Sequence, residues 1–322
     1  MKAAVIPAPG TDPAYDDFVD PVEEPGRAIV SLVAAGIHPV VRLLAAGNYY
    51  ASTGGYPQIL GVDAVARTEE GAVVYTGYPR PPFGTFAERI SVPEGMRFEL
   101  PDGADPIAVA AGINPGLASW LPLRARRAET GGLGTVLILG ATGMAGRLAA
   151  QNAVALGARR VVGAGRNRTA LGQLEGYGAT TVALTDERDA NAHAIAAGLG
   201  DDAPDLVLDF VWGPVAEAAF AALARRGWGE DNADIAYVEI GAMAGEQASV
   251  PGSLLRSRRF RVTGSSQAST AIADVVAALR SYMEMIAAGH VVVPARAYPL
   301  SRIGEAWTAA SGSSERAVVV PE

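Results

Sequence analysis

Three glycines spaced three apart, Gly140, Gly143 and Gly146, come directly after the apolar run Val136–Leu139. From Met144 the pattern becomes helical: Leu148, Ala149, Asn152, Ala153 and Leu156 recur at three- and four-residue steps, and Gly157 closes the segment. A buried strand, a glycine turn and a helix therefore succeed one another without a break. The chemistry this order permits is anion binding. Glycine lets the backbone come close where Cβ atoms would block a pyrophosphate, and the free N–H groups of the helix start face it with the helix dipole behind them. As a bare pattern the spacing is weak. A second strand at the expected distance, Ala158–Gly165, makes it stronger. Dinucleotide binding through Gly140, Ala141, Thr142, Gly143, Met144, Ala145 and Gly146 is the working reading, and an ordinary glycine-rich strand-to-helix turn is the alternative.

The residues just after the second strand bear on which dinucleotide. An NAD site usually places Asp or Glu about twenty residues after the glycine turn to hold the ribose 2′-OH. This chain has Gly165, Arg166, Asn167 and Arg168 there, with no carboxylate before Glu175. Two guanidinium groups and an amide suit a 2′-phosphate, which Arg grips with paired hydrogen bonds. NADP(H) is thereby favoured over NAD(H), unless the arginines are merely solvated at a strand end.

Several absences narrow the chemistry further. With no Cys among 322 residues there are no disulfides, thiol nucleophiles or cysteine zinc sites. The three His (His38, His193 and His290) are far apart, and Lys2 is the only lysine, which excludes an internal Schiff base or a Tyr-x-x-x-Lys pair. A net charge of −8 argues against nucleic acid or an acidic membrane as partner. No apolar run has the length of a membrane span, and no basic segment leads into a signal core, so a cytoplasmic protein is expected.

These residues need elements to hold them. Short strands are expected at Lys2–Ile6, Arg27–Ala35, Ile59–Arg67, Ala72–Tyr78 and Phe86–Val92, with a short helix Val40–Ala46 and a loop from Gly47 to Pro57. Two helices come next, one from Asp105 to Gly112 and one from Pro115 to Ala128. After the glycine unit, helices at Thr169–Tyr177, Asp189–Leu199 and Val215–Arg225 alternate with strands at Thr181–Leu184, Asp205–Phe210 and Ile235–Ile240, before a strand at Arg261–Gly264. Such alternation means a parallel sheet with helices on both faces. Helices at Thr270–Ala288 and Arg302–Ala310 and strands at Val291–Val293 and Ala317–Val320 complete the chain. The class is α/β.

The motifs, in their order, resemble a zinc-independent member of the medium-chain dehydrogenase/reductase superfamily, in the quinone oxidoreductase and enone reductase branch. Those carrying the resemblance include Ala35–His38, Ile59–Asp63, Phe83–Glu88, Ser91–Pro93, Asn114–Trp120, Gly140–Gly146, Asp205–Asp209, Ile240–Gly241 and Tyr298–Leu300. The resemblance implies a discontinuous GroES-like β-rich catalytic domain, 1–115 and 267–322, a doubly wound Rossmann NADP(H) domain over 116–266, and a homodimer. Zinc members carry a Cys and a Gly-His-Glu where this chain has His38 and Gly61-Val62-Asp63, so no catalytic metal is expected. Tyr49 matches a tyrosine of the quinone reductases. The cofactor would run past Phe210, Trp212, Gly241 and Ala242, with Gly264, Ser265 and Ser266 near the nicotinamide amide. Two departures stand out: Val41 replaces a common Asp, and Ala118 replaces a Thr that often touches the nicotinamide.

Without a Lewis acid, conjugate reduction is the easier reaction, because hydride lands on carbon and the charge spreads into an enolate that hydrogen-bond donors can hold. Tyr49 is the first candidate for acid or oxyanion donor, since a phenol is neutral at pH 7. Asn48, Tyr50, His38 and Trp120 are candidates to line a site for a small carbonyl or quinone substrate, although an aromatic on a helix is commonly core. A zinc-free alcohol or ketone oxidoreductase, a specialised biosynthetic reductase, and a protein that binds NADPH without turnover remain alternative readings.

Overall fold

The computed structural model describes the chain except for Asn48, Tyr50, Ala51, Thr53, 225–230, 267–268 and 312–314. The chain divides into two compact units, Met1–Pro115 with Arg280–Glu322, and Gly116–Leu279. It re-enters the first unit at Arg280.

The first unit begins with β1 (Lys2–Ile6), β2 (Ala14–Asp17) and β3 (Arg27–Gly36), then α1 (Pro39–Ala45). It continues through β4 (Gln58–Ile59), β5 (Asp63–Arg67), β6 (Val73–Gly77), β7 (Arg89–Pro93) and β8 (Phe98–Glu99). The strand expected over Ile59–Arg67 is split in two at Gly61. This residue has φ +102°, and a Cβ on it would overlap the Thr85 hydroxyl oxygen, so the chain must turn out of the sheet there.

α2 (Pro106–Thr130) is one helix where the sequence suggests two. Proline removes a donor and disfavours helix at the residue before it. Here the burial of Val109, Ile113, Leu117 and Leu123 along the same helix outweighs that cost. Gly112 is needed for packing: a Cβ there would come within 2.7 Å of a Val293 methyl. That contact also explains why Val291–Val293 forms no strand, since Val293 packs on the helix and pairing starts only at Ala295.

The second unit is the alternating series. It comprises β9 (Leu133–Leu139), α3 (Met144–Ala155), β10 (Ala158–Gly165), α4 (Arg168–Glu175), β11 (Thr180–Ala183) and α5 (Arg188–Leu199). Then come β12 (Leu206–Asp209), α6 (Gly213–Leu223), β13 (Asp234–Glu239), α7 (Gly252–Ser257), β14 (Arg259–Gly264) and the first half of α8 (Ile272–Ala287), whose residues from Arg280 on belong to the first unit. Among the described residues the six strands form one parallel sheet in the order β11-β10-β9-β12-β13-β14. The order reverses between β9 and β12, which defines the switch point where such sheets open a crevice. Leu137, Leu139, Val207 and Tyr237 are buried on one side of the sheet and Val136, Ile138 and Leu208 on the other, as a central parallel sheet requires.

The C-terminal segment adds β15 (Ala295–Pro299), α9 (Ile303–Ala309) and β16 (Arg316–Val320) to the first unit. β16 pairs with β3, and the path β15-β16-β3-β5-β6-β8, with β7 also on β3, wraps a core containing Ile6, Leu32, Ile37, Phe86, Ile90 and Trp307.

Candidate dinucleotide site and a buried histidine–aspartate pair

The glycine turn joins β9 to α3, and each glycine has a separate reason to be there. Gly140 has φ +79°, and the Gly140 and Ala141 N–H groups both donate to the Ala164 carbonyl, at 3.0 and 2.9 Å. Gly143 is the N-cap of α3 and offers no side-chain acceptor, so the N–H groups at the helix start keep their capacity for an external anion. A Cβ on Gly146 would overlap the Gly140 carbonyl oxygen, so only glycine lets α3 seat against the turn. A Cβ on Gly165 would meet the Thr142 side chain at 2.5 Å, which places the end of β10 beside the turn. These features together fit the phosphates of a dinucleotide.

The other cofactor candidates in the sequence line the same edge. Strand register aligns Ala164, Leu139, Asp209, Glu239 and Gly264 in one row at the carboxyl ends. The residues just beyond that row are Gly165, Gly140, Phe210, Ile240 and Ser265. Arg166 is 78 % exposed, with its nearest acid, Asp186, 3.9 Å away. Asn167 caps α4 by accepting the Ala170 N–H at 3.1 Å, which leaves its amide N–H₂ group as a donor, and Arg168 is the first helical residue. Ser265 N–H donates to the Glu239 carbonyl at 2.8 Å, holding the Gly264–Ser266 turn against β13.

Trp212 follows β12 at this same edge. Its ring packs edge-on against Phe220 and Tyr237, with centroids 5.9 and 6.2 Å apart, at the margin of the core. The motif Asp205–Asp209 ends on the residue that holds this turn, a role its sequence does not assign: the Asp209 carboxylate accepts the Val211 and Trp212 N–H groups at 2.8 and 2.9 Å. Its strand position is the signal that could have found it, because an acid closing an apolar strand has to be satisfied locally.

In the first unit, His38 is the N-cap of α1 and Asp63 opens β5. His38 Nε2 lies 3.2 Å from Asp63 Oδ1, off the line of a formed hydrogen bond, an ion pair when the imidazole is protonated. Tyr75 donates to Asp63 Oδ2 at 2.8 Å and the Thr85 hydroxyl donates to the Asp63 carbonyl at 2.9 Å. Burial opposes the ionised form of Asp63, but the His38 charge and contacts from His38, Tyr75 and Asn114 overcome it and hold the carboxyl below its ordinary range. Burial and then the Asp63 charge push the Tyr75 phenol well up. A Cβ on Gly36 would sit 2.6 Å from the His38 ring, so this glycine makes room for the imidazole. Among the described residues no three His, Cys, Asp or Glu side chains converge.

Tyr49 is half-buried and its carbonyl accepts the Ser52 N–H at 2.8 Å. Asn48 and Tyr50 lie outside the described residues. Trp120 is only 5 % exposed within α2. Ser119, beside Ala118, donates its hydroxyl to the Gly116 carbonyl and accepts from Asn152 at 2.9 Å, so it is committed to the α2–α3 contact.

The parallel sheet and its glycine turn define a Rossmann dinucleotide-binding unit, here joined to a GroES-like β-rich unit. No family model matches the chain. It is 28 % identical over 363 aligned positions, covering all of both chains, to tdiC of Emericella nidulans, a probable NADPH-dependent quinone reductase. The quinone oxidoreductase of Thermus thermophilus, solved also with NADPH, superposes with TM-score 0.77 and 27 % identity over 99 % of this chain and 100 % of that one. An alcohol dehydrogenase superfamily protein of Novosphingobium aromaticivorans gives TM-score 0.80 at 23 % identity over 100 % of both chains. Over its whole length, then, this chain resembles the quinone oxidoreductases of the medium-chain dehydrogenase/reductase superfamily, and it has their fold.

Proposed function

We propose that the protein is an NADPH-dependent, metal-free oxidoreductase that reduces a quinone or an α,β-unsaturated carbonyl by conjugate addition of hydride. The observation that carries this reading is the glycine turn packed against α3, with Arg166 and Arg168, not a carboxylate, closing β10. The likeness to tdiC and to the Thermus quinone oxidoreductase supports it.

When bound, NADPH supplies hydride from C4 of its nicotinamide. The backbone N–H groups at the start of α3 hold the pyrophosphate, and Arg166, Arg168 and the Asn167 amide hold the 2′-phosphate. Gly241, Ala242 and Gly264–Ser266 would border the nicotinamide half. Tyr49 donates a hydrogen bond to the substrate oxygen on which charge grows. Phenol donation suffices because the charge is shared with carbon in an enolate. His38 and Asp63 are too few for a catalytic zinc, and Asp63 already spends an oxygen on Tyr75. Pairing of the edge strand β14 between two copies would give a homodimer, and no helix among the described residues is long and apolar enough to cross a membrane.

Reduction of a simple enone with 4-deuterated NADPH tests the reaction. Deuterium on the β-carbon of a saturated ketone is the expected result. Deuterium on the carbinol carbon of an allylic alcohol would replace this reading with carbonyl reduction.

A further inference from the structure

Asp209 is wholly buried at the carboxyl end of β12, and its carboxylate and carbonyl accept from five groups. Oδ1 accepts the N–H groups of Val211 and Trp212, and Oδ2 accepts the Tyr237 hydroxyl. Its carbonyl accepts the N–H groups of Ile240 and Gly241 at 2.7 and 3.3 Å. One residue thus ties down the loop after β12 and the loop after β13.

The two loops are also joined to each other. Ala244 N–H donates to the Val211 carbonyl at 2.6 Å, and Trp212 pairs with Gly245 in an isolated parallel bridge. Trp212 has φ +52° and ψ −155°, a region normally left to glycine. A side-chain residue stays there only where its surroundings over-determine it. Here the Asp209 carboxylate fixes its N–H and the Phe220 and Tyr237 rings fix its indole. The consequence reaches the glycine turn, because a Cβ on Gly140 would lie 2.8 Å from Val211 Cγ1. Val211 therefore stands directly against the first glycine, on the β12 side of the switch point.

We propose that Asp209 is a positioning residue for the dinucleotide: it holds residues 210–212 and 240–245 as the wall of the cofactor groove beside Gly140. The inference rests on the NADPH reading above. It does not extend to the adenosine end, where α4 and the arginines come after β10.

The test is equilibrium titration of the full-length wild type, Asp209→Ala, Asp209→Asn and Tyr237→Phe, each well below its melting temperature. Two probes are used, NADPH and adenosine 2′,5′-bisphosphate, which carries the 2′-phosphate end alone. Asp209→Ala should weaken NADPH by about tenfold or more, and Tyr237→Phe by about three- to tenfold for one lost hydrogen bond, with the bisphosphate nearly unchanged. Asp209→Asn keeps the acceptor at Oδ1 and should fall between wild type and Asp209→Ala. If Asp209→Ala fails to fold, Tyr237→Phe carries the test. Variants that melt lower yet bind both probes like wild type would overturn the proposal, as would equal weakening of both probes. A wild type that binds bisphosphate and NADPH equally poorly would overturn the NADPH reading itself, and this inference with it.

Discussion

Nε2 of His38 and Oδ1 of Asp63 stand 3.2 Å apart with both side chains closed off from solvent. Where zinc-dependent members of the resembled superfamily place metal ligands, this chain has a buried histidine–carboxylate pair braced by Tyr75. Taking one partner away leaves the other buried without compensation, which is far costlier than losing a surface pair. Asp63→Ala should therefore destabilise the protein by about 3 kcal/mol in urea unfolding at pH 7. A loss within about 0.5 kcal/mol, the range of an ordinary surface substitution, would show that the pair is not an anchor.

The same carboxylate sets an acid limit. Because folding lowers the Asp63 pKa, its contribution is present above the unfolded value of about 4 and is lost as pH falls through the folded value. The stability gap between wild type and Asp63→Asn should shrink steadily once pH drops below about 4. A gap that instead grew as pH fell from 7 toward about 4 would mean the folded carboxyl titrates above the unfolded one.

Two glycines give substitutions of opposite sign. Gly146→Ala drives a methyl into the Gly140 carbonyl oxygen, so α3 must move off the turn. It should cost about 1–3 kcal/mol of stability and NADPH affinity along with it. Gly172 lies in α4, where an added Cβ would have nothing within 4 Å, and Gly172→Ala should gain about 0.5–1 kcal/mol with binding intact. Thermal melts and NADPH titrations of the pair check both signs at once.

Arg166 is exposed and only loosely associated with Asp186, so it is available to a 2′-phosphate. Arg166→Ala should raise the Kd for NADPH by about 10- to 100-fold, the loss of one charge-assisted contact, and leave that for NADH nearly unchanged. Equal effects on both cofactors would remove the 2′-phosphate from its role.

Much of this architecture is legible in the chain because its signals are local. The apolar run Val136–Leu139 leading into Gly140, Gly143 and Gly146 reads as strand, turn and helix, and the structure has β9, the turn and α3 there. The features that escaped depend on contacts distant in sequence. Gly112 and Pro115 look like a helix break, but Val293, far along the chain, packs on Gly112 within a single α2. The packing of the Trp212 indole against the Phe220 and Tyr237 rings has no signature in the local pattern, because Tyr237 lies on the next strand. Asp209 stands in the motif Asp205–Asp209, but its role is not legible there, since its partners are backbone N–H groups and a tyrosine on the next strand. The short strands β2 and β15 and the helix α7 carry too few residues for a period to emerge.

The most direct measurement is the rate of nicotinamide oxidation with a simple quinone, run with NADPH and with NADH, each with and without EDTA. Turnover that prefers NADPH and is indifferent to the chelator is the expected result. Preference for NADH, or activity abolished by EDTA and restored by zinc, would contradict a metal-free NADPH-dependent reductase.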